Sequence, residues 1–240
     1  MLHDKDIREP LFDFLEEIYG KIRIIEEKTM GKSRADIVMV TPEALCGIEI
    51  KSDADTYARL AGQVRDYDQY FDFNIAVVGS SHGLHIREHV PEYWGIITVE
   101  EAEDMIDFYY LRRPMWNPKM KWQRKLSVLW RPELAQIQEW NDMPKYRDKS
   151  REFVSHKIAE RVPNKIPEDV LKKQVSELLF ERDYNEAPRM LADYRKGEIQ
   201  KKLEQETDPA RRLELMMEQA EKQKKLKKGC KKKICHLSRE

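Results

Sequence analysis

Three cysteines in 240 residues are an odd number and too few for a disulfide framework, so the fold has to be held by packing, in a reducing compartment. No apolar run approaches the ~20 residues needed to cross a bilayer, and the start Met1-Leu2-His3-Asp4-Lys5-Asp6 carries no apolar signal core. A cytoplasmic location without membrane contact is therefore the expectation. Nine glycines form no phosphate-cradling Gly-rich loop, and no internal repeat is evident. Charge of either sign is not in excess. The 44 Lys and Arg balance 44 Asp and Glu, which removes any whole-chain attraction to nucleic acid and leaves only local patches to provide it. What remains is ample for a core: 40% of residues are hydrophobic, suiting one domain of ordinary size plus an appendage.

The densest information lies in residues 34–70. Asp36-Ile-Val-Met-Val40 and Cys46-Gly-Ile-Glu-Ile-Lys51 are short, β-branched runs separated by Thr41-Pro42-Glu43, the pattern of an antiparallel hairpin. Alternation puts Glu49 and Lys51 on one face and Ile48 and Ile50 on the other. Asp36, on the neighbouring strand, brings a second carboxylate towards Glu49. Two such groups repel unless a divalent cation neutralises them, and Mg²⁺ or Mn²⁺ would also activate water and screen a phosphate. Lys51 is a point charge suited to holding that phosphate or the attacking water. An isolated Glu-x-Lys on a strand is more often a solvated face; here it is embedded in an apolar strand and precedes a helix expected over Asp55–Tyr70. Asp53 or Asp55 can cap that helix, Leu60, Val64, Tyr67 and Phe71 form its buried stripe, and Gln63 and Tyr67 lie on the inward side.

The series Asp36, Glu49-x-Lys51 and Gln63-x-x-x-Tyr67 resembles the PD-(D/E)XK nuclease superfamily, including its RecB-like and Holliday-junction-resolving branches, and more closely an uncharacterised bacterial family within it. The resemblance spans roughly Asp4 to Glu101, with Ala35 in place of the usual Pro before the Asp. It implies an α/β restriction-endonuclease-like core, a mixed central sheet flanked by helices. It also implies a metal held by Asp36, Glu49 and the carbonyl of Ile50, a catalytic Lys51, and Gln63 with Tyr67 in support. An extra acid is open among Glu9, Glu26 and Glu27. Glu9 falls off the apolar stripe Ile7, Leu11, Phe14, Leu15 and Ile18 of the first helix, so Glu27, at the end of the strand-like Ile22–Glu27, ranks above it. Arg34 shares the strand face of Asp36 and can pair with one of these acids or with a phosphate.

Downstream, Phe73–Val78 reads as a buried strand, Trp94–Val99 as a last edge strand, and Glu100–Tyr110 as a helix leading out of the core. His82, His85 and His89 cluster in sequence but lack acidic partners, so they read as surface or packing residues rather than a metal site. Residues 1–110 form the expected nuclease-like domain and 111–194 a helical region, punctuated by Pro163 and Pro167. Trp116, Trp122 and Trp130 there, interleaved with Arg112, Arg113, Lys119, Lys121, Arg124, Lys125 and Arg131, build core more readily than they stack on bases. Residues 195–240 hold 15 Lys and Arg against 8 Asp and Glu. A solvated helix over Glu198–Lys225 and a disordered basic tail are expected, with Lys231, Lys232 and Lys233 adding salt-sensitive DNA affinity. Cys230, Cys235 and His236 fall short of a zinc set. The functional expectation is a Mg²⁺- or Mn²⁺-dependent deoxyribonuclease, in repair, defence or element mobility, acting on DNA and able to pair as a homodimer. The competing class is a non-catalytic nucleic-acid-binding protein that keeps the fold, and an RNA-directed enzyme differs only in substrate.

Overall fold

The computed structural model describes residues 3–53, 55–83, 85–102 and 105–182. Met1–Arg182 clusters as one compact unit; the helix expected over Glu198–Lys225, Lys231, Lys232, Lys233 and the terminal cysteines lie outside the described residues. The elements run α1 (Asp4–Tyr19), β1 (Arg23–Met30), β2 (Ser33–Val40), β3 (Leu45–Lys51), α2 (Leu60–Tyr70), β4 (Phe73–Gly79), β5 (Gly95–Ala102), β6 (Met105–Arg112), α3 (Trp122–Leu126), α4 (Arg131–Trp140), α5 (Arg151–Ala159) and α6 (Glu168–Glu181).

The six strands form one mixed sheet in sequential order β1 to β6. The pairs β1–β2, β2–β3 and β5–β6 are antiparallel, whereas β3–β4 and β4–β5 are parallel. Every residue of β3 is buried, as a central strand covered on both faces must be. One face carries Ile37, Met39, Ile48, Ile50, Ile75, Val77, Ile97 and Val99 against Ile7, Leu11 and Leu15 of α1. The other carries Val38, Val40, Leu45, Ala76, Val78 and Ile96 against Leu60, Tyr67 and Phe71 and against Leu126, Leu134, Val154, Leu171 and Val175. Helices α3 to α6 therefore share a core with the sheet, and the expected boundary at residue 110 falls inside β6.

Three local expectations are corrected. Glu100–Tyr110 does not leave the core as a helix: Met105–Arg112 is strand β6, and the strand expected at the edge over Trp94–Val99 is β5, Gly95–Ala102, in the interior of the sheet. Ile106, Phe108 and Tyr110 alternate along β6 and pack on the α1 face, so a period of two prevails over the helical reading. Helix α2 begins at Leu60, after a 3₁₀ turn over Tyr57–Arg59, and has no side-chain cap. Asp55 instead accepts from the amide and hydroxyl of Ser52, and Asp53 accepts from Ser81. Ile18, expected in the buried stripe of α1, is exposed.

Two close approaches position the site. A Cβ on Gly47 would stand 2.2 Å from Phe71 Cδ2 and 2.6 Å from Tyr67 Cδ1, so only glycine lets α2 lie this near β3. Asp72, 1% exposed, accepts from the Leu45 amide at 2.8 Å and from Lys125, itself wholly buried, tying the start of β3 to α3.

Candidate active site

The β2–β3 ladder runs from Val40↔Leu45 to Ile37↔Ile48 and stops there, although both strands continue. Asp36 and Glu49 are the first residues beyond the last pair. Side chains fill the opening between the strands. Asp36 Oδ2 accepts from the Ile50 amide at 2.9 Å, and the Tyr67 hydroxyl lies 3.3 Å from the Asp36 amide and 3.2 Å from the Ile48 carbonyl. An acid and a phenol of the predicted set thus take up the amides of Ile50 and Asp36.

Glu49 is the hub. Its Oε2 accepts from Tyr67 at 2.7 Å, and its Oε1 accepts from Lys51 Nζ at 2.5 Å and from Gln63 Nε2. Glu49 is 1% exposed and Lys51 5%, so this is a charge pair desolvated on both sides. Burial first, and then the neighbouring Glu49 charge, push the Asp36 carboxyl up to about 7. Burial also pushes the Tyr67 hydroxyl well above its usual range, which keeps it a donor. The structure therefore brings Asp36, Glu49, Lys51, Gln63 and Tyr67 together, and Ile50 contributes its amide.

Glu27 sits elsewhere. It lies in the left-handed region at φ 53°, and its carboxylate is shared by Arg8 at 2.8 Å and Arg34 Nε at 2.5 Å. Glu26 is held by Arg8 at 3.0 Å, and Glu9 is exposed. Arg8, absent from the sequence-based set, also reaches the Asp36 carbonyl at 3.3 Å and Asp4 at 2.8 Å. Its four-residue spacing from Asp4 on α1 was the available signal. Among the described residues no group of three His, Cys, Asp or Glu converges as a metal cluster, and His82 and His89 flank the Tyr57 ring at 5.0 and 4.3 Å. Trp122 and Trp130 are half-buried. Trp116 is 55% exposed, against Phe73 at 4.3 Å.

A model of the bacteriophage P4 protein cII family matches residues 2–207. The chain belongs to that family. No curated protein and no solved structure matches it. The match takes in all the described elements of the cII-family chain, so the sheet, α1 and the helical layer all lie within it.

Beside the acidic pair, a cleft of about 710 Å³ opens between the β1–β2 hairpin and the start of α2. Thr29, Lys32, Ser33, Arg34 and Asp36 line one side, and Ala58, Arg59, Ala61, Gly62, Gln63 and Arg65 the other. Asp36 and Gln63 thus belong both to the buried site and to its opening. The sequence alone singles out only Arg34 among the four cations, because Lys32, Arg59 and Arg65 share no local pattern and meet only through the fold.

The residues suit a hard cation. Mg²⁺ takes oxygen ligands and needs only one or two carboxylates from the protein. Here two carboxylates adjoin, one of them driven towards protonation by burial and the other's charge. A third oxygen, Gln63 Oε1, is buried without a hydrogen-bond partner.

Proposed function

We propose that this cII-family protein is a divalent-metal-dependent nuclease that hydrolyses DNA phosphodiester bonds. The observation that carries the reading is the pair Asp36 and Glu49 where β2 and β3 separate, with Lys51 and Gln63 both on Glu49 Oε1. Asp36 and Glu49 would hold Mg²⁺ or Mn²⁺, together with the Ile50 carbonyl that the nuclease resemblance implies. Such an ion, when bound, supplies Lewis acidity and a water of lowered pKa.

The side chains of the chain do the remaining work. Tyr67 fixes the Glu49 carboxylate by donating to Oε2, and Gln63 fixes the other oxygen. Lys51 uses one of its three donors on Glu49 and has others for a scissile phosphate or an attacking water. In a desolvated site such a charge acts strongly on developing negative charge. Asp36, which opens on the cleft, stands where a strand in that cleft would meet the acidic pair.

A second reading, a nucleic-acid-binding protein that keeps the fold without turnover, draws on one observation. Glu49 and Lys51 are closed on each other and nearly inaccessible. The two readings separate on labelled single-strand, duplex, nicked, flapped and four-way-junction DNA, plus one RNA, with Mg²⁺ or Mn²⁺ and with chelator. Cleavage is expected with metal and not with chelator. Asp36→Ala and Lys51→Ala are each expected to lower it by at least about 100-fold with the far-UV circular dichroism retained. Unaltered cutting in either variant would remove the proposed site, and binding without any cutting would favour the second reading.

A further inference from the structure

The cleft gathers four cations. Lys32, Arg34, Arg59 and Arg65 line it from both walls, and all four are exposed. Only Arg34 is matched by an acid, Glu27 at 2.5 Å. Lys32, Arg59 and Arg65 have no ion pair among the described residues. Some cations elsewhere have acids of their own, as in Lys51 with Glu49, Lys125 with Asp72, Arg182 with Glu133, Lys157 with Glu160, and Arg8 with three acids. Glu27 on Arg34 and Asp36 at one end still leave cations in excess along the cleft; like charges in excess repel one another, and an anion in the cleft removes that cost.

The two walls are joined at one end. The hairpin tip turns at Gly31, φ 55°, where an added Cβ would lie 3.1 Å from Asp66 Oδ1. Asp66 of α2 in turn accepts from Ser33 Oγ at 2.5 Å, so the tip is pinned to the helix at one end of the cleft. Gln63 and Asp36 line the end that leads to Glu49. The lining is Thr, Lys, Ser, Arg, Asp, Ala, Gly and Gln, without an aromatic ring to stack a base.

We infer that this cleft grips the phosphodiester backbone of DNA between the β1–β2 hairpin and α2, through Lys32, Arg34, Arg59 and Arg65, and does so without reading base sequence. The inference rests on the nuclease reading for the identity of the anion, and it assigns the strand its track into the site. Cations on two opposed walls contact phosphates, and each contact releases counterions, so binding weakens with salt in proportion to the number of phosphates neutralised. Absence of stacking surface removes the commonest sequence-tolerant hold on single-stranded bases and leaves the backbone as the recognised feature.

The test uses the full chain, with chelator present to prevent cutting. Fluorescence anisotropy follows two labelled 20-base-pair duplexes of unrelated sequence over a series of salt concentrations. The wild type is expected to bind both within about three-fold. The Lys32→Ala, Arg59→Ala, Arg65→Ala triple variant is expected to show a slope of log affinity against log salt shallower by roughly three, about one for each cation removed from a phosphate. A basic tail adds equally to both proteins and cancels in that difference. An unchanged slope in the triple variant, or more than ten-fold preference for one sequence, overturns the inference. Equal or tighter binding of a matched RNA duplex overturns the assignment to DNA. The nuclease reading is judged separately, by metal-dependent cutting and its loss in Lys51→Ala. An unchanged slope beside intact cutting sinks the cleft alone, and a shallower slope without any cutting sinks the nuclease alone.

Discussion

Asp36 combines three features that no single neighbour would produce: its carboxylate bridges two diverging strands, faces Glu49 and opens on the basic cleft. Its folded pKa of about 7 lies above the ordinary 3.8, so the sign of its stability effect follows by linkage. Below the unfolded value both states are protonated and Asp36 costs nothing. As pH rises through 4 to 7 the unfolded state ionises first, and stability falls. Three pKa units correspond to ~4 kcal/mol at most. Asp36→Asn keeps an oxygen for the Ile50 amide and removes the charge. In metal-free protein its melting temperature is expected to match the wild type near pH 4 and to exceed it by several degrees at pH 8. Added Mg²⁺ or Mn²⁺ should raise the wild type and leave Asp36→Asn unmoved, as read by differential scanning calorimetry. A wild type that melts higher than the variant at pH 8 without metal would contradict the raised pKa.

At the scale of elements, the site depends on how closely α2 lies on β3. Tyr67 reaches Glu49 only because Gly47 offers no side chain beneath it. Gly47→Ala forces either the rings of Tyr67 and Phe71 or the helix itself to move, and overpacking of this kind costs about 1–3 kcal/mol. The expected outcome is a lower urea midpoint with cleavage reduced more than the remaining folded fraction explains, because the Tyr67 hydroxyl leaves Glu49. Loss of stability with full specific activity would show that Tyr67 packs and does not position. The strand–helix–strand passage from β3 through α2 to β4 was legible because each segment has an unambiguous period. The pairing of β5 with β6 was not, since the acidic stretch Glu100, Glu101, Glu103 and Asp104 reads like a helix start.

For the molecule as a whole, the helical layer and the sheet stand or fall together. Leu126, Leu134, Val154, Leu171 and Val175 belong to the same buried cluster as Val38, Tyr67 and Val78, and Asn117 donates to the carbonyls of Asp68 and Phe71 at 2.9 and 2.8 Å. A fragment ending at residue 110 would expose that face of the sheet. It is expected to be insoluble or molten, whereas residues 1–182 should unfold in urea in one transition, with tryptophan fluorescence and far-UV circular dichroism coinciding. A stably folded 1–110 fragment would restore an independent first domain.

Local pattern sufficed for the two short apolar strands, for Asp36, Glu49 and Lys51 upon them and Gln63 with Tyr67 on the helix that follows, and for the face each occupies, because side-chain period is a local property. The helical character of residues 122–181 was legible in the same way. The three-dimensional packing was needed to show that β2 and β3 diverge just beyond the Ile37↔Ile48 pair, that Glu27 is held by Arg8 and Arg34, and that Lys32, Arg59 and Arg65 share a cleft with Arg34. Packing likewise brings Asp72 to Lys125, 53 residues away in the chain. These are relations between segments distant in sequence, fixed by how the helices pack on the sheet, and no period within any one segment encodes them.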